Sequence, residues 1–118
     1  MQTQDNLKKF LHNKYIYFMP TKEEVLNDLK SVYDPEIGLD IVNLGLIYRL
    51  DISDDGKSVE IDMTLTSIAC PIGPSLIQMV EEVLKNKFEN VKVNVVFDPP
   101  WSPEMISEEG KQALGLFD

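Results

Sequence analysis

Val25, Leu26, Leu29 and Val32 recur at intervals of one, three and three residues, the spacing that lines one face of an α-helix. Thr21 followed by Glu24 makes a capping box, in which each side chain satisfies a backbone N–H of the first turn. Asp34-Pro35 stops the run, because a residue before proline avoids the helical region. The pattern predicts a helix over residues 22–33. From Leu46 the period drops to two: Leu46, Tyr48, Leu50 and Ile52 share one face and Arg49 and Asp51 the other, a half-buried strand. After the turn residues Asp54-Asp55-Gly56-Lys57, Val59, Ile61, Met63 and Leu65 alternate again, so two antiparallel strands form a hairpin, with Thr64 and Thr66 on its opposite face.

A second helical stripe, Leu76, Ile77, Val80, Val83 and Leu84, follows Cys70-Pro71-Ile72-Gly73-Pro74 and runs to about residues 85–88, where lysines suit the negative helix end. Val91, Val93, Val95 and Phe97 then alternate as a third strand. Strand, helix and strand in succession imply a crossover that sets the third strand parallel to a neighbour. In Asp98-Pro99-Pro100-Trp101-Ser102-Pro103 the prolines forbid both ladder and helix, and Ser102 or Ser107 is placed to cap a short last helix through Ala113 and Leu114. The fold class is α+β: one small domain, a mixed sheet of three strands with room for a fourth, helices on one face, in the order α-β-β-α-β-α. Residues 1–20 show no period and read as an N-terminal extension; residues 21–118 form the domain.

Composition narrows the function classes. A chain of 118 residues has room for one core. Eleven basic against twenty acidic side chains leave a net charge of −9, which repels phosphate backbones and anionic lipids and suits solubility or docking on a basic protein surface. Nucleic acid and membrane are therefore excluded as expected partners. One cysteine makes no internal disulfide, and with no apolar run near the ~20 residues of a membrane span and no leader-like segment, the expected home is the reducing cytoplasm.

Cys70 lies between a strand end and a helix start, where unpaired N–H groups and the positive helix end favour the thiolate that binds soft metals or attacks electrophiles. The plainer reading is a small buried hydrophobe; Pro71, Gly73 and Pro74, which fix a turn, favour the first. Asp34 and Glu36 flank Pro35: two carboxylates on one turn hold a metal, accept a proton, or, more simply, bond the turn's own N–H groups. Asn43 and Gly45 tolerate unusual backbone angles and aim the chain into the first strand. Trp101 covers a sheet edge or docks a partner. His12 is the sole histidine, so a closed zinc site, which takes about four ligands, and a catalytic triad are both excluded. No phosphate-cradling glycine loop is present.

Three stretches in order, Asp34-Pro35-Glu36 running into Asp40-Ile41-Val42-Asn43-Leu44-Gly45-Leu46-Ile47-Tyr48, then Thr66 to Pro71 with its Thr-x-x-x-Cys-Pro spacing, then Asp98-Pro99-Pro100-Trp101, resemble the SufT/PaaD-like metal-sulfur cluster assembly family over residues 21–116. The resemblance implies an α+β domain that matures iron–sulfur proteins, with Cys70, Thr66, Asp34 and Glu36 as its site and Asn43, Gly45, Pro71 and Trp101 in support. It departs from the family where Ile68-Ala69 replaces the glycine that many relatives carry before the cysteine. The cysteine-rich C-terminal segment of the PaaD type is absent, which favours a general assembly role over a specialised one.

Because a cluster usually takes about four cysteine-type ligands, one thiol implies no tightly bound cofactor. The expected role is transient handling of iron or an iron–sulfur cluster at Cys70, oriented by Thr66 and the acidic turn. The expected partners are client apoproteins and the assembly machinery, and a homodimer is one way to share the cluster. The alternative is a metal-free adaptor that recruits clients through Trp101 and the prolines. A thiol enzyme ranks last, since no histidine stands ready to activate the thiol.

Overall fold

The computed structural model describes residues 19–116, so nearly all of the expected N-terminal extension, with His12, lies outside the described residues. Helix α1 (Lys22–Leu29) starts at the capping box: Thr21 Oγ1 accepts from the Glu24 amide at 3.1 Å, and Glu24 Oε1 accepts from the Thr21 amide at 2.9 Å. It ends at Leu29 rather than residue 33. Proline marks only the latest place a helix can stop, and Tyr33–Asp34 (β1) pairs instead with Leu39–Asp40 (β2) in a two-stranded antiparallel ribbon.

That ribbon and the short helix after it, α2 (Ile41–Leu44), are elements that periodicity did not reveal. Asp40 caps α2, its Oδ2 accepting from the amides of Val42 and Asn43 at 3.1 and 3.0 Å. Gly45, at φ +83°, closes it.

The main sheet has the order β3-β4-β5, with β3 Ile47–Ile52, β4 Ser58–Met63 and β5 Asn90–Val95. β4 lies antiparallel to β3 and parallel to β5. The hairpin turn closes as its residues demand: Asp55 Oδ1 accepts from the Lys57 amide at 3.0 Å and from Ser53 Oγ at 2.6 Å. Helix α3 (Gly73–Lys85) joins the two parallel strands. Its Leu76, Val80 and Leu84 share the core with Val59, Ile61 and Met63 of β4, each large side chain contributing about 2 kcal/mol by leaving water. The opposite face of the sheet carries Arg49, Asp51, Glu60 and Asp62, ion-paired among themselves.

Two expected strand ends shift. β4 stops at Met63, so Thr64 and Thr66 do not continue its alternation: Thr64 is fully buried beside Leu65, and Thr66 is half-buried. β5 stops at Val95, leaving Phe97 outside the ladder. The tail follows with a cis Asp98–Pro99 peptide, a 3-10 turn (Pro103–Met105) and helix α4 (Glu108–Ala113), capped by Ser107, whose Oγ accepts from the Gly110 amide at 2.9 Å.

Candidate functional site at one end of the sheet

Sheet register brings the sequence motifs together. Ile47 of β3 is opposite Met63 of β4, and Met63 is opposite Val95 of β5. Because β4 and β5 are parallel and β3 runs against them, the start of β3 and the ends of β4 and β5 occupy one end of the sheet. Two backbone bonds extend the alignment past the strands: the Thr64 amide donates to the Leu46 carbonyl at 2.8 Å, and the Val96 amide to the Met63 carbonyl at 2.8 Å. The segments entering β3, carrying Cys70 and leading to Trp101 therefore leave the sheet at the same end, the usual place for a site in a sheet with parallel strands.

Asn43, Gly45 and Trp101 lie together there and hold the tail. Asn43 Nδ2 donates to Asp40 Oδ1 at 2.7 Å, while its Oδ1 accepts from Ser107 Oγ at 2.6 Å. Trp101 Nε1 donates to the Leu44 carbonyl at 2.7 Å, and the Tyr48 hydroxyl to the Pro99 carbonyl at 2.8 Å. Trp101 is half-buried against the core. Asp40 and Ser107, legible in sequence only as a motif residue and a helix cap, are the members whose place in this cluster sequence reasoning missed. The signal for Asp40 was its distance from Gly45, an N-cap and a left-handed closing glycine bracketing one turn of helix.

Cys70 stands two residues before Ile72, the N-cap of α3, and is half-exposed while packing against the core. No side chain caps the helix. The Gly73 amide is taken by the Cys70 carbonyl at 3.2 Å, and Pro74 has no N–H. The helix start that follows the thiol thus has fewer spare donors than its sequence suggests. Pro71 is exposed beside it.

Asp34 and Glu36 separate. Asp34 is 1% exposed, and its Oδ1 accepts from the amides of Glu36 and Ile37 at 2.9 and 3.3 Å, which is the turn-capping role. Glu36 is exposed. No hydrogen bond among the described residues joins either carboxylate, or Thr66, to Cys70, and no group of three or more His, Cys, Asp or Glu among the described residues is arranged to hold a metal.

The stretch of chain that carries Cys70 is uncharged: from Met63 to Val80 there is no Asp, Glu, Lys, Arg or His. Ile68, 80% exposed, stands out from this stretch, with Ala69 and Met79 also exposed.

The family model described as "Iron-sulfur cluster assembly protein" matches residues 22–96. The chain is similar to the Fe-S protein maturation auxiliary factor SufT of Staphylococcus aureus, at 47% identity over 72% of this chain and 98% of the relative. It is also similar to the Fe-S protein maturation auxiliary factor YitW of Bacillus subtilis, at 41% identity over 80% of this chain and 94% of the relative. Among solved structures, a domain of unknown function, DUF59, from Bacillus anthracis superposes with a TM-score of 0.75 at 37% identity, covering 90% of this chain and 99% of that one. A family model spanning both parallel strands and the cysteine loop between them, together with relatives matched over almost their whole length, shows that the chain belongs to the iron–sulfur cluster assembly protein family.

Proposed function

We propose that the chain matures iron–sulfur proteins in the cytoplasm by transient handling of a cluster at Cys70 and its transfer to client apoproteins, acting as a carrier rather than a catalyst. The observation that carries this reading is the placement of the sole thiol, half-exposed, at the sheet end where the motif segments converge. A thiolate is a suitable ligand for iron, and a site offering one thiol is underliganded, so a cluster held there is open to exchange. The remaining ligands come from a client, a scaffold or a second copy. Thr66, half-buried, and Glu36, exposed, are assigned to orient the cargo, and Asp34, which accepts from the amides of Glu36 and Ile37, to hold the acidic turn in shape.

The test is client maturation in cells together with anaerobic reconstitution. Cys70→Ala is expected to lower the activity of an iron–sulfur client at least fivefold and to abolish the visible cluster absorption that the wild-type chain gains with iron and sulfide. Unchanged client activity would remove the thiol from the mechanism.

A second reading, the metal-free adaptor, is favoured by Ile68. A large aliphatic side chain 80% exposed in a charge-free stretch has the character of an interface centre, where charged residues are depleted. In that reading Ile68→Asp abolishes co-purification of a named client, and Cys70→Ala leaves it intact.

A further inference from the structure

Gly73 opens α3 without a left-handed backbone, so conformational freedom does not explain a glycine at this position, where alanine would make a better helix. Space does. A Cβ on Gly73 would stand 2.8 Å from Leu65 Cδ1, closer than real Cβ contacts, so the end of the Leu65 side chain would have to shift. Leu65, itself buried, lies just past β4, so its side chain packs directly on the backbone at the helix start and brings residues 65 and 73 together.

Between these two residues lies the segment 66–72 that carries the thiol. Inside it, the Cys70 amide donates to the Ser67 carbonyl and the Gly73 amide to the Cys70 carbonyl, both at 3.2 Å. Its upstream side is tied to the sheet by the Thr64 amide on the Leu46 carbonyl at 2.8 Å. A short segment with both ends fixed and its neck packed is a compact loop whose conformation its own closure decides.

We infer that the Leu65–Gly73 contact is a positioning device: it closes the neck of the 66–72 loop and sets how far the Cys70 thiol is presented to solvent. This rests on the reading of Cys70 as the working group, but thiol exposure is measurable whether or not that reading holds. Leu65 and Gly73 touch no cargo; they act through the loop.

The experiment is the rate of Cys70 alkylation by iodoacetamide in the folded full-length chain at fixed pH, well below the melting temperature of each variant. Gly73→Ala displaces Leu65 and Leu65→Ala removes it; each is expected to raise the rate at least threefold. In the double variant the added methyl has nothing to displace, so its rate should equal that of Leu65→Ala alone, a non-additivity expected only of residues in contact. Ile106→Ala, a buried truncation in the tail, lowers the melting temperature without altering the rate, which separates positioning from general loosening. If Gly73→Ala does not fold, Leu65→Val perturbs the same contact more gently and should raise the rate about twofold. Single-variant rates within error of wild type, rates no different from Ile106→Ala, or a double variant equal to the product of the singles would overturn the inference. Loss of client maturation in Cys70→Ala with no change in alkylation on altering Leu65 or Gly73 would leave the carrier role standing without this device.

Discussion

Gly38 and Gly45 share a backbone conformation, φ +83° in both, and differ in what surrounds them. Nothing lies within 4 Å of where a Cβ on Gly38 would stand, whereas a Cβ on Gly45 would run into the carbonyl oxygen of Met105 and approach its carbonyl carbon to 3.1 Å. Alanine at either position bears the cost of a left-handed backbone, about 1–2 kcal/mol. At Gly45 it must also push the tail away, so Gly45→Ala is expected to lose about 3 kcal/mol or more in urea unfolding, and Gly38→Ala only about 1–2 kcal/mol. Equal losses would mean that the tail yields freely at Met105. A glycine can be recognised in sequence as a turn former, and Gly45 was. Its second constraint comes from a residue sixty positions away and leaves no mark on local pattern. The same holds for Asp34, whose flank of Pro35 reveals a turn while its burial is settled by the ribbon it belongs to.

Among the elements, the polar face of the sheet is one whose stability responds to pH. Arg49 lies between carboxylates: its Nε donates to Asp62 Oδ2 at 2.9 Å, and it also pairs with Asp51 and Glu60. The hydrogen bond from Arg49, then that from Asn94 Nδ2 at 2.9 Å, hold the Asp62 carboxyl below its usual range. A carboxyl with a depressed folded-state pKa contributes stability that is fully present above its unfolded value, near 4, and is lost as pH falls through the folded value. Asp62→Asn is therefore expected to lower the urea midpoint at pH 7 and to leave it nearly unchanged at pH 2.5. The gap between variant and wild type narrows on acidification, and 1 M salt narrows it at pH 7 because this face is open to solvent. A gap constant from pH 7 to 2.5 would show that the pair has no electrostatic part.

The strands that build this face were the most legible part of the chain. Val59, Ile61 and Met63 alternate with Ser58, Glu60 and Asp62, and a period of two over six residues has one physical solution on a half-buried sheet. The β1–β2 ribbon and α2 were not legible from periodicity, since elements of two and four residues are too short to repeat a period. Of the candidate site, the cysteine loop and its place before a helix were readable. The gathering of Asn43, Gly45 and Trp101 around the tail was not, because long-range packing decides it.

At the scale of the molecule, the tail is built into the core rather than appended to it. Ile106 and Gly110 are buried, the Ser107 amide donates to the Asn43 carbonyl at 2.8 Å, and Trp101 and Leu114 pack against the main cluster. The single tryptophan therefore reports docking of the tail on α2, while far-ultraviolet circular dichroism reports the whole domain. The two probes are expected to give superimposable urea transitions, the mark of one cooperative unit. Tryptophan fluorescence changing at a lower urea concentration than the dichroism would make the tail a separately releasable strap.

β5 borders the main sheet, and its valines alternate with Asn90, Lys92 and Asn94. A border of this kind is where foreign strands add on and fibres begin, and a lysine at its middle is a common natural guard, since its ammonium group resists being sealed under another chain. Stickiness is thereby held down along β5, even though a bare isoleucine stands exposed in the loop two residues before the thiol.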